Sequence, residues 1–165
     1  MTGHQIVALA ILAALALLAL RILRRLRPRR RRPEAVIDGS NVMHWQDNAP
    51  KLDSVAAVLR LLERKGYRTA VIFDANAGYL LQGRYLHDHA LGRRLGLPGN
   101  RVLVVPKGQQ ADPFLLTLAR DSGAVVISND RFRDRIADYP ELSAPGRLVR
   151  GGWRDGKPWL DLPER

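Results

Sequence analysis

The sequence predicts a three-layer α/β/α, Rossmann-like domain with a mainly parallel sheet over residues 34–165. The first supporting observation is that short β-branched runs alternate with helical patterns in the order β-α-β-α-β-α-β-α. The second is that these runs are continuously apolar, as in strands covered by helices on both faces. A third is that aspartates stand where strands end or helices begin, which places them at one edge of such a sheet.

Each element has its own local signal. The apolar runs predict strands over residues 35–37, 69–73, 101–105 and 124–127. Apolar spacing and end signals predict helices over residues 53–65, 80–95, 112–122 and 130–137. Asp53 is the expected N-cap of the first helix, and Pro113 lies in the first turn of the third. At the C-terminus, Asp155-Gly156 predicts a hairpin turn between residues 148–149 and 159–160, with Trp153 and Trp159 packing beside it.

The positive charge is concentrated at the N-terminus. The chain has a formal net charge of +11, and residues 1–33 contain eight arginines and no acidic residue. The folded body, residues 34–165, is therefore only weakly basic. Cysteine is absent, which excludes disulfides and thiolate metal sites within this sequence.

The N-terminal segment predicts a single transmembrane helix. Residues 6–20 are uncharged Ile, Val, Leu and Ala, and the run through residue 23 would span about 27 Å as a helix. Seven arginines follow, at positions 24, 25, 27, 29, 30, 31 and 32. Because basic residues remain on the cytoplasmic side, we expect a single-pass protein with its N-terminus outside and its folded domain in the cytoplasm. A cleaved signal peptide fits less well, since its basic residues precede the apolar run.

Four aspartates are the candidate catalytic and metal-ligating residues: Asp38, Asp112, Asp130 and Asp134. They come from three segments that all reach the carboxyl edge of the sheet. Asp130 and Asp134, four residues apart, would share one face of a helix. Carboxylates brought this close repel one another, so Mg²⁺ or Mn²⁺ is the natural partner, and such ions activate water against phosphodiesters. Taken singly, Asp112 and Asp130 could be helix N-caps, Asp134 could pair with Arg131 or Arg135, and Asp38 could be a turn residue.

Two motifs carry a resemblance to a known family. The segment Val-Ile-Asp-Gly-Ser-Asn-Val, residues 36–42, resembles the opening motif of NYN domains, a branch of the PIN-like nucleases. The segment Ile-Ser-Asn-Asp-Arg-Phe-Arg-Asp, residues 127–134, resembles their later S-N-D-x-x-x-D motif. Asp112 falls where the family places its middle acid, and the similarity to Regnase-type endoribonuclease domains spans about residues 34–140.

The resemblance implies an endonuclease that cleaves single-stranded RNA with Mg²⁺ or Mn²⁺. It makes the four aspartates metal ligands or water-positioning groups, makes Asn41 a polar group that holds metal or substrate, and assigns Ser128 and Asn129 to support of the loop. One position departs from the family. Regnase-type domains have paired acids at the middle motif, whereas Ala111 precedes Asp112 in this chain.

Basic and aromatic side chains near the motifs are candidate RNA contacts. Lys107, Arg131, Arg133 and Arg84 could bind phosphates, and the alternative is ordinary solvated surface charge. Trp45 and His44 could stack on bases, or Trp45 could anchor its own loop. The expected partners are therefore RNA and, through residues 6–23, a membrane, and the sequence leaves a homodimer open.

Two other functions compete with the nuclease. Ala111 and the basic arm also suit a non-catalytic, membrane-tethered RNA-binding module. Phosphotransfer receivers and haloacid-dehalogenase-type phosphatases place acids at strand ends as well. However, Asp38 lacks the D-x-D spacing of the phosphatases, and strand three ends in Val105-Pro106-Lys107 without the aspartate that a receiver needs.

Overall fold

A computed structural model describes residues 32–163, and a five-stranded parallel sheet lies at its centre. The strand order is β3-β2-β1-β4-β5. The strands are β1 (Glu34–Asp38), β2 (Arg68–Phe73), β3 (Val102–Val104), β4 (Val125–Ile127) and β5 (Leu148–Val149). The four predicted strands are confirmed. The fifth is a correction, because Leu148–Val149 pairs in parallel with β4 and does not belong to the hairpin.

Helices cover both faces of the sheet. They are α1 (Gly39–Val42), α2 (Leu52–Arg64), α3 (Ala77–Gln82), α4 (Asp88–Leu95) and α5 (Ala111–Ser122), with short 3₁₀ turns at Gly99–Arg101 and Pro140–Ser143. The apolar stripe of α2 is buried as its spacing predicts. Asp53 is not the N-cap, because Lys51 holds that position and Asp53 lies in the first turn. The single helix predicted over residues 80–95 is two helices, since the left-handed backbone of Gly83 ends α3.

Alternate side chains along each strand enter two separate cores. Ile37 and Phe73 pack into one core with the buried faces of α2 and α4. Val36 and Ile72 point the opposite way, into a second core with the buried face of α5. Successive side chains of a strand point to opposite faces of the sheet, and both faces are covered by apolar cores. The strands are therefore continuous hydrophobic runs in the sequence.

The C-terminal hairpin is a separate two-stranded antiparallel sheet. Its strands are β6 (Gly151–Arg154) and β7 (Lys157–Leu160), and β7 packs against α2. The predicted turn at Asp155-Gly156 is confirmed, with φ of 51° and 71° as a two-residue turn of type I′ requires. The Arg154 guanidinium lies 5.6 Å from the ring centre of Trp159.

The helix predicted over residues 130–137 is wrong. The segment is a series of turns, and Phe132 has a left-handed φ of 47°. Two interactions replace the helix. The Asp130 carboxylate accepts a hydrogen bond from the Phe132 amide at 2.8 Å, and the Phe132 side chain is buried in the second core. Asp130 and Asp134 therefore do not share a helix face.

Within residues 32–163 no helix is long and apolar enough to cross a membrane. The transmembrane helix predicted for residues 6–23 lies outside the described residues, and it stays a prediction.

Candidate active site

The candidate site lies where the chain reverses its direction across the sheet. From β1 the chain moves outward through β2 and β3, and then returns through α5 to β4 on the other side of β1. In open parallel sheets, ligands bind beyond the carboxyl ends of the strands at such a switch point. Asp38 is the last residue of β1, Asp74 and Asp130 come shortly after β2 and β4, and Asp112 lies at the start of α5. We call this region the acidic edge.

Asp38 is the most firmly held of these carboxylates. Only 8% of the residue is exposed. One carboxylate oxygen accepts a hydrogen bond from the Asn41 amide at 3.0 Å, and the other accepts one from the Ser128 hydroxyl at 2.8 Å. Burial raises the pKa of Asp38 to about 6, and the two hydrogen bonds oppose that rise. Asp112 and Asp74 add repulsion that raises the pKa further.

Ser128 connects Asp38 to Asp130. Its hydroxyl donates to Asp38 and accepts a hydrogen bond from the Asp130 amide at 3.1 Å. Ser128 is fully buried, so this hydroxyl works inside the protein and orients the first acid relative to the third. The chain of hydrogen bonds is thus continuous from β1 to the loop after β4.

Asn41 and Asn129 join the same loop to the C-terminal hairpin. The Asn41 side-chain oxygen accepts hydrogen bonds from the Trp45 indole at 2.8 Å and from the Asn129 amide at 3.1 Å. The Asn129 side chain in turn bonds both the carbonyl of Gly151, at 2.9 Å, and its amide, at 3.1 Å. A side-chain carbon at Gly151 would come within 2.6 Å of the Trp45 ring. Trp45 therefore anchors its loop beneath β6.

Asp112 is half-buried in the first turn of α5 and is not its N-cap, a position that Gln110 holds. Burial is the largest cause of its raised pKa, and repulsion from Asp130, Asp74 and Asp134 adds to it. The Arg135 guanidinium acts in the opposite direction and lowers this pKa. These mutual effects mean that the carboxylates of the acidic edge lie close enough to influence one another's charge.

Asp74 and Ser40 also belong to this edge. The sequence indicates Asp74 alone of the two, as a carboxylate that either supports the site or holds a turn. The Ser40 hydroxyl accepts a hydrogen bond from the Asp74 amide at 2.8 Å. The Asp74 carboxylate accepts one from the amide of Ala111 at 3.3 Å, which ties β2 to the start of α5. The signal for Asp74 was its place directly after the second strand, the same place that Asp38 has after the first.

Asp134 is the most loosely held of the four predicted acids. Its side chain is 76% exposed, and one carboxylate oxygen lies 3.5 Å from Nε of Arg135. Pairing with Arg135 was one of the alternatives that the sequence left open. The Arg135 guanidinium also donates a hydrogen bond to the side chain of Gln110 in the loop before α5.

The predicted phosphate contacts lie on the surface around this edge. Lys107, in the loop between β3 and α5, is exposed, and so are Arg131 and Arg133, which flank Phe132. Arg84 is exposed between α3 and α4. Among the described residues none of these four side chains has a hydrogen bond or ion pair, so their charges are free to meet a polyanion.

The donor set fits a hard divalent cation in its chemistry. The acidic edge offers carboxylate oxygens. Burial first, and repulsion between the acids second, raises the pKa of Asp38 and of Asp112, and a bound cation would favour their charged forms. Across residues 32–163 no three acidic or imidazole side chains converge tightly enough to hold an ion by themselves. Magnesium commonly binds through one or two carboxylates while keeping several waters, so such a site does not need three converging side chains.

Comparison with known proteins shows the family. Residues 31–155 match the model of the Zc3h12a-like ribonuclease NYN domain. The fold is also similar to two solved structures of the nuclear protein-only RNase P 2 (PRORP2) of Arabidopsis thaliana. The first has a TM-score of 0.62 at 19% identity over 79% of this chain and 30% of that chain. The second has a TM-score of 0.52 at 20% identity over 97% of this chain and 35% of that chain.

This chain thus spans about a third of the length of those two structures, and at such identity the likeness concerns the fold. The family model covers three quarters of the sequence, including both aspartate motifs and the middle acid. The match to this family model agrees with the PIN-like α/β fold and with a nuclease function. The chain belongs to the Zc3h12a-like ribonuclease NYN domain family.

Proposed function

We propose that the chain is a membrane-anchored, metal-dependent endoribonuclease that cleaves single-stranded RNA at the acidic edge. The observation that carries this proposal is the hydrogen-bonded path from Asp38 through Ser128 to Asp130, with Asp112 close enough to raise the pKa of Asp38. The path ends on the backbone amide of Asp130, so it brings the segments that carry these acids to the same edge of the sheet. Family membership supplies the reaction class, which is cleavage of RNA.

One or two of Asp38, Asp112 and Asp130 would hold a Mg²⁺ or Mn²⁺ ion directly and the others through its bound waters, with Asp134 at its outer side. When bound, the ion supplies Lewis-acid stabilisation of the phosphate and a more acidic water. The protein's own contribution is orientation. Ser128 and the Asn41 amide fix both oxygens of Asp38, so this carboxylate cannot rotate away from the edge.

The substrate path would run over the exposed cations. Lys107 approaches the edge from the side of α5, whereas Arg131 and Arg133 approach it from the loop after β4. Contacts of this type bind phosphates whatever the base, so they support binding without sequence preference. The choice of single-stranded substrate and internal cleavage rests on the resemblance to Regnase-type domains.

The membrane anchor rests on the sequence of residues 6–23 and the arginines that follow. With its N-terminus outside, the chain would carry the ribonuclease domain on the cytoplasmic side. The arginine segment would lie at the headgroups, where each basic residue gains about 1 kcal/mol from anionic lipid. The substrate of the ribonuclease domain would then be RNA that reaches the membrane surface.

The test is cleavage of a circular single-stranded RNA by the purified 165-residue chain in detergent. A circular substrate has no ends, so its cleavage requires an endonuclease. We expect cleavage with Mn²⁺ or Mg²⁺, none with a chelator, and strongly reduced cleavage by Asp38→Asn and by Asp130→Asn. Asp155→Asn is the matched control, because Asp155 is exposed in the hairpin turn, where asparagine accepts the same left-handed backbone.

One observation favours a second function. Ala111 stands where an acid is expected, and the Arg135 guanidinium beside Asp134 offsets part of the negative charge of the acidic edge, as would suit a non-catalytic RNA-binding module at the membrane. RNA binding that persists with a chelator, without any cleavage of the circular substrate, would support this module and contradict the enzyme.

A further inference from the structure

Arg135 is a cation placed inside the acidic edge. Its side chain is 24% exposed, much less than that of its partner Asp134 at 76%. The guanidinium bonds the Gln110 side chain, which precedes α5, and lies 3.5 Å from the Asp134 carboxylate. It is also close enough to Asp112 to lower the pKa of that acid. Arg135 therefore bridges the two loops that carry the middle and last acids.

Arg135 interacts with Asp134 through charge and not through a hydrogen bond. Nε of Arg135 is buried and has no hydrogen-bond partner, since its distance to Asp134 exceeds normal hydrogen-bond length. Burial of an unpaired guanidinium proton is costly unless nearby negative charge compensates for it. Neighbouring Arg131 and Arg133 are exposed to solvent, so the inward position of Arg135 is specific to this residue.

The acidic edge is asymmetric in charge as a result. The fixed acid, Asp38, feels repulsion from Asp112 and Asp74. At the other side, the Arg135 guanidinium lies 3.5 Å from Asp134 and bonds Gln110, and the residue before Asp112 is the uncharged Ala111. Two-ion sites hold their ions about 4 Å apart and need carboxylates around both. Within the described part of the chain, Asp134 has an ion pair, whereas Asp38, Asp112 and Asp130 have none.

We infer that Arg135 takes the place of a second divalent cation, so that the site binds a single ion on the side of Asp38, Asp112 and Asp130. This inference rests on the proposed metal-dependent function. The guanidinium stays protonated at every physiological pH, so its positive charge is permanent. It repels a second ion from Asp134 and leaves the first position available.

The experiment is a Mn²⁺ titration of the 165-residue chain in detergent, with free Mn²⁺ measured by electron paramagnetic resonance. We expect the wild type to bind one ion. Arg135→Met, which keeps an unbranched apolar stem and removes the charge, should bind a second ion or bind the first on the order of tenfold more tightly. Arg135→Lys should resemble the wild type. Arg133→Met is the matched control, with the same loss of charge from an exposed site two residues away.

Melting curves without metal show whether each variant is folded before the comparison is made. Two ions in the wild type would overturn the inference, and so would equal titrations for Arg135→Met and Arg133→Met. Asp38→Asn separates the two proposals. If it abolishes Mn²⁺ binding while Arg135→Met changes nothing, the metal-dependent function stands and the role of Arg135 falls. If no variant binds Mn²⁺, both proposals fall.

Discussion

The first and last acids of the site differ in how the fold holds them. Asp38 is 8% exposed and has a hydrogen bond to each of its carboxylate oxygens. Asp134 has a 76% exposed side chain and a single 3.5 Å contact to Arg135. Both are aspartates of family motifs, and the sequence treats them alike. Their surroundings indicate that Asp38 is fixed before any ligand binds, whereas Asp134 can still move.

The difference in burial also means that the protein environment changes the pKa of Asp38. Burial raises the pKa of Asp38 to about 6, because the charged form loses water that two hydrogen bonds only partly replace. An exposed carboxylate keeps its water and can rotate toward or away from an ion at little cost. We therefore expect the buried acid to govern both activity and stability, and the exposed acid to adjust activity alone.

The largest expected effect is on catalysis by Asp38→Asn. The substitution keeps the shape and removes the charge of the best-fixed carboxylate, so RNA cleavage should fall about 100-fold or more. Initial rates on the circular RNA, at saturating Mn²⁺, measure this. Asp155→Asn should keep the wild-type rate. An Asp38→Asn rate within a few-fold of the wild-type rate would contradict the expectation that the buried acid is needed for cleavage.

The next effect concerns pH and stability in the presence of a chelator. The pKa of Asp38 rises from 3.8 to about 6 on folding, so its stabilising effect is complete below pH 3.8 and is lost as pH increases through 6. Between pH 4 and pH 8 the loss should be about 2.5 kcal/mol. Urea unfolding of the wild type and of Asp38→Asn at several pH values measures it. Parallel pH profiles for the two proteins would contradict the assigned burial.

Asn129→Ala tests how the loop after β4 is braced. The substitution removes both side-chain hydrogen bonds to Gly151 and leaves that buried backbone unsatisfied, so unfolding free energy should fall by about 2 kcal/mol. Urea unfolding followed by tryptophan fluorescence would also report on the hairpin, which contains Trp153 and Trp159. Asn100→Ala, at an exposed asparagine, is the control and should change stability by less than about 0.5 kcal/mol.

The smallest effect is expected for Asp134→Asn. Its carboxylate is exposed and already paired with Arg135, so cleavage should decrease by less than about tenfold, with no change in stability. The same rate and urea measurements apply. A loss equal to that of Asp38→Asn would show that exposure does not predict importance at this edge, and the two acids would then be equivalent.

The regular elements were predictable because their signals are local. Four strands of the sheet appear as apolar runs, and α2 and α5 appear as stripes of helical spacing that end at glycines. The hairpin turn at Asp155-Gly156 needs only two residues to specify it. The clustering of Asp38, Asp112 and Asp130 at one edge followed from the parallel order of the strands.

The predictions that the structure corrects concern segments whose conformation depends on contacts with residues distant in the sequence. Leu148–Val149 is too short to show whether it pairs with β4 or with the hairpin, and it pairs with β4. The segment after Asp130 has a helical pattern, but the burial of Phe132 and its left-handed backbone override that preference. The bridge from Arg135 to Gln110 joins residues 25 positions apart, and nothing in either local sequence indicates it.

The sequence by itself determined four strands of the sheet, the two helices with the clearest apolar stripes and the family resemblance, because hydrophobic period and motif spacing are properties of neighbouring residues. Only the tertiary structure decided how the acids of the site differ. Burial, hydrogen bonds from Ser128 and Asn41, and the inward turn of Arg135 arise from residues brought together by folding. The charge of a carboxylate depends on the water and charges around it, and these exist only once the chain has folded.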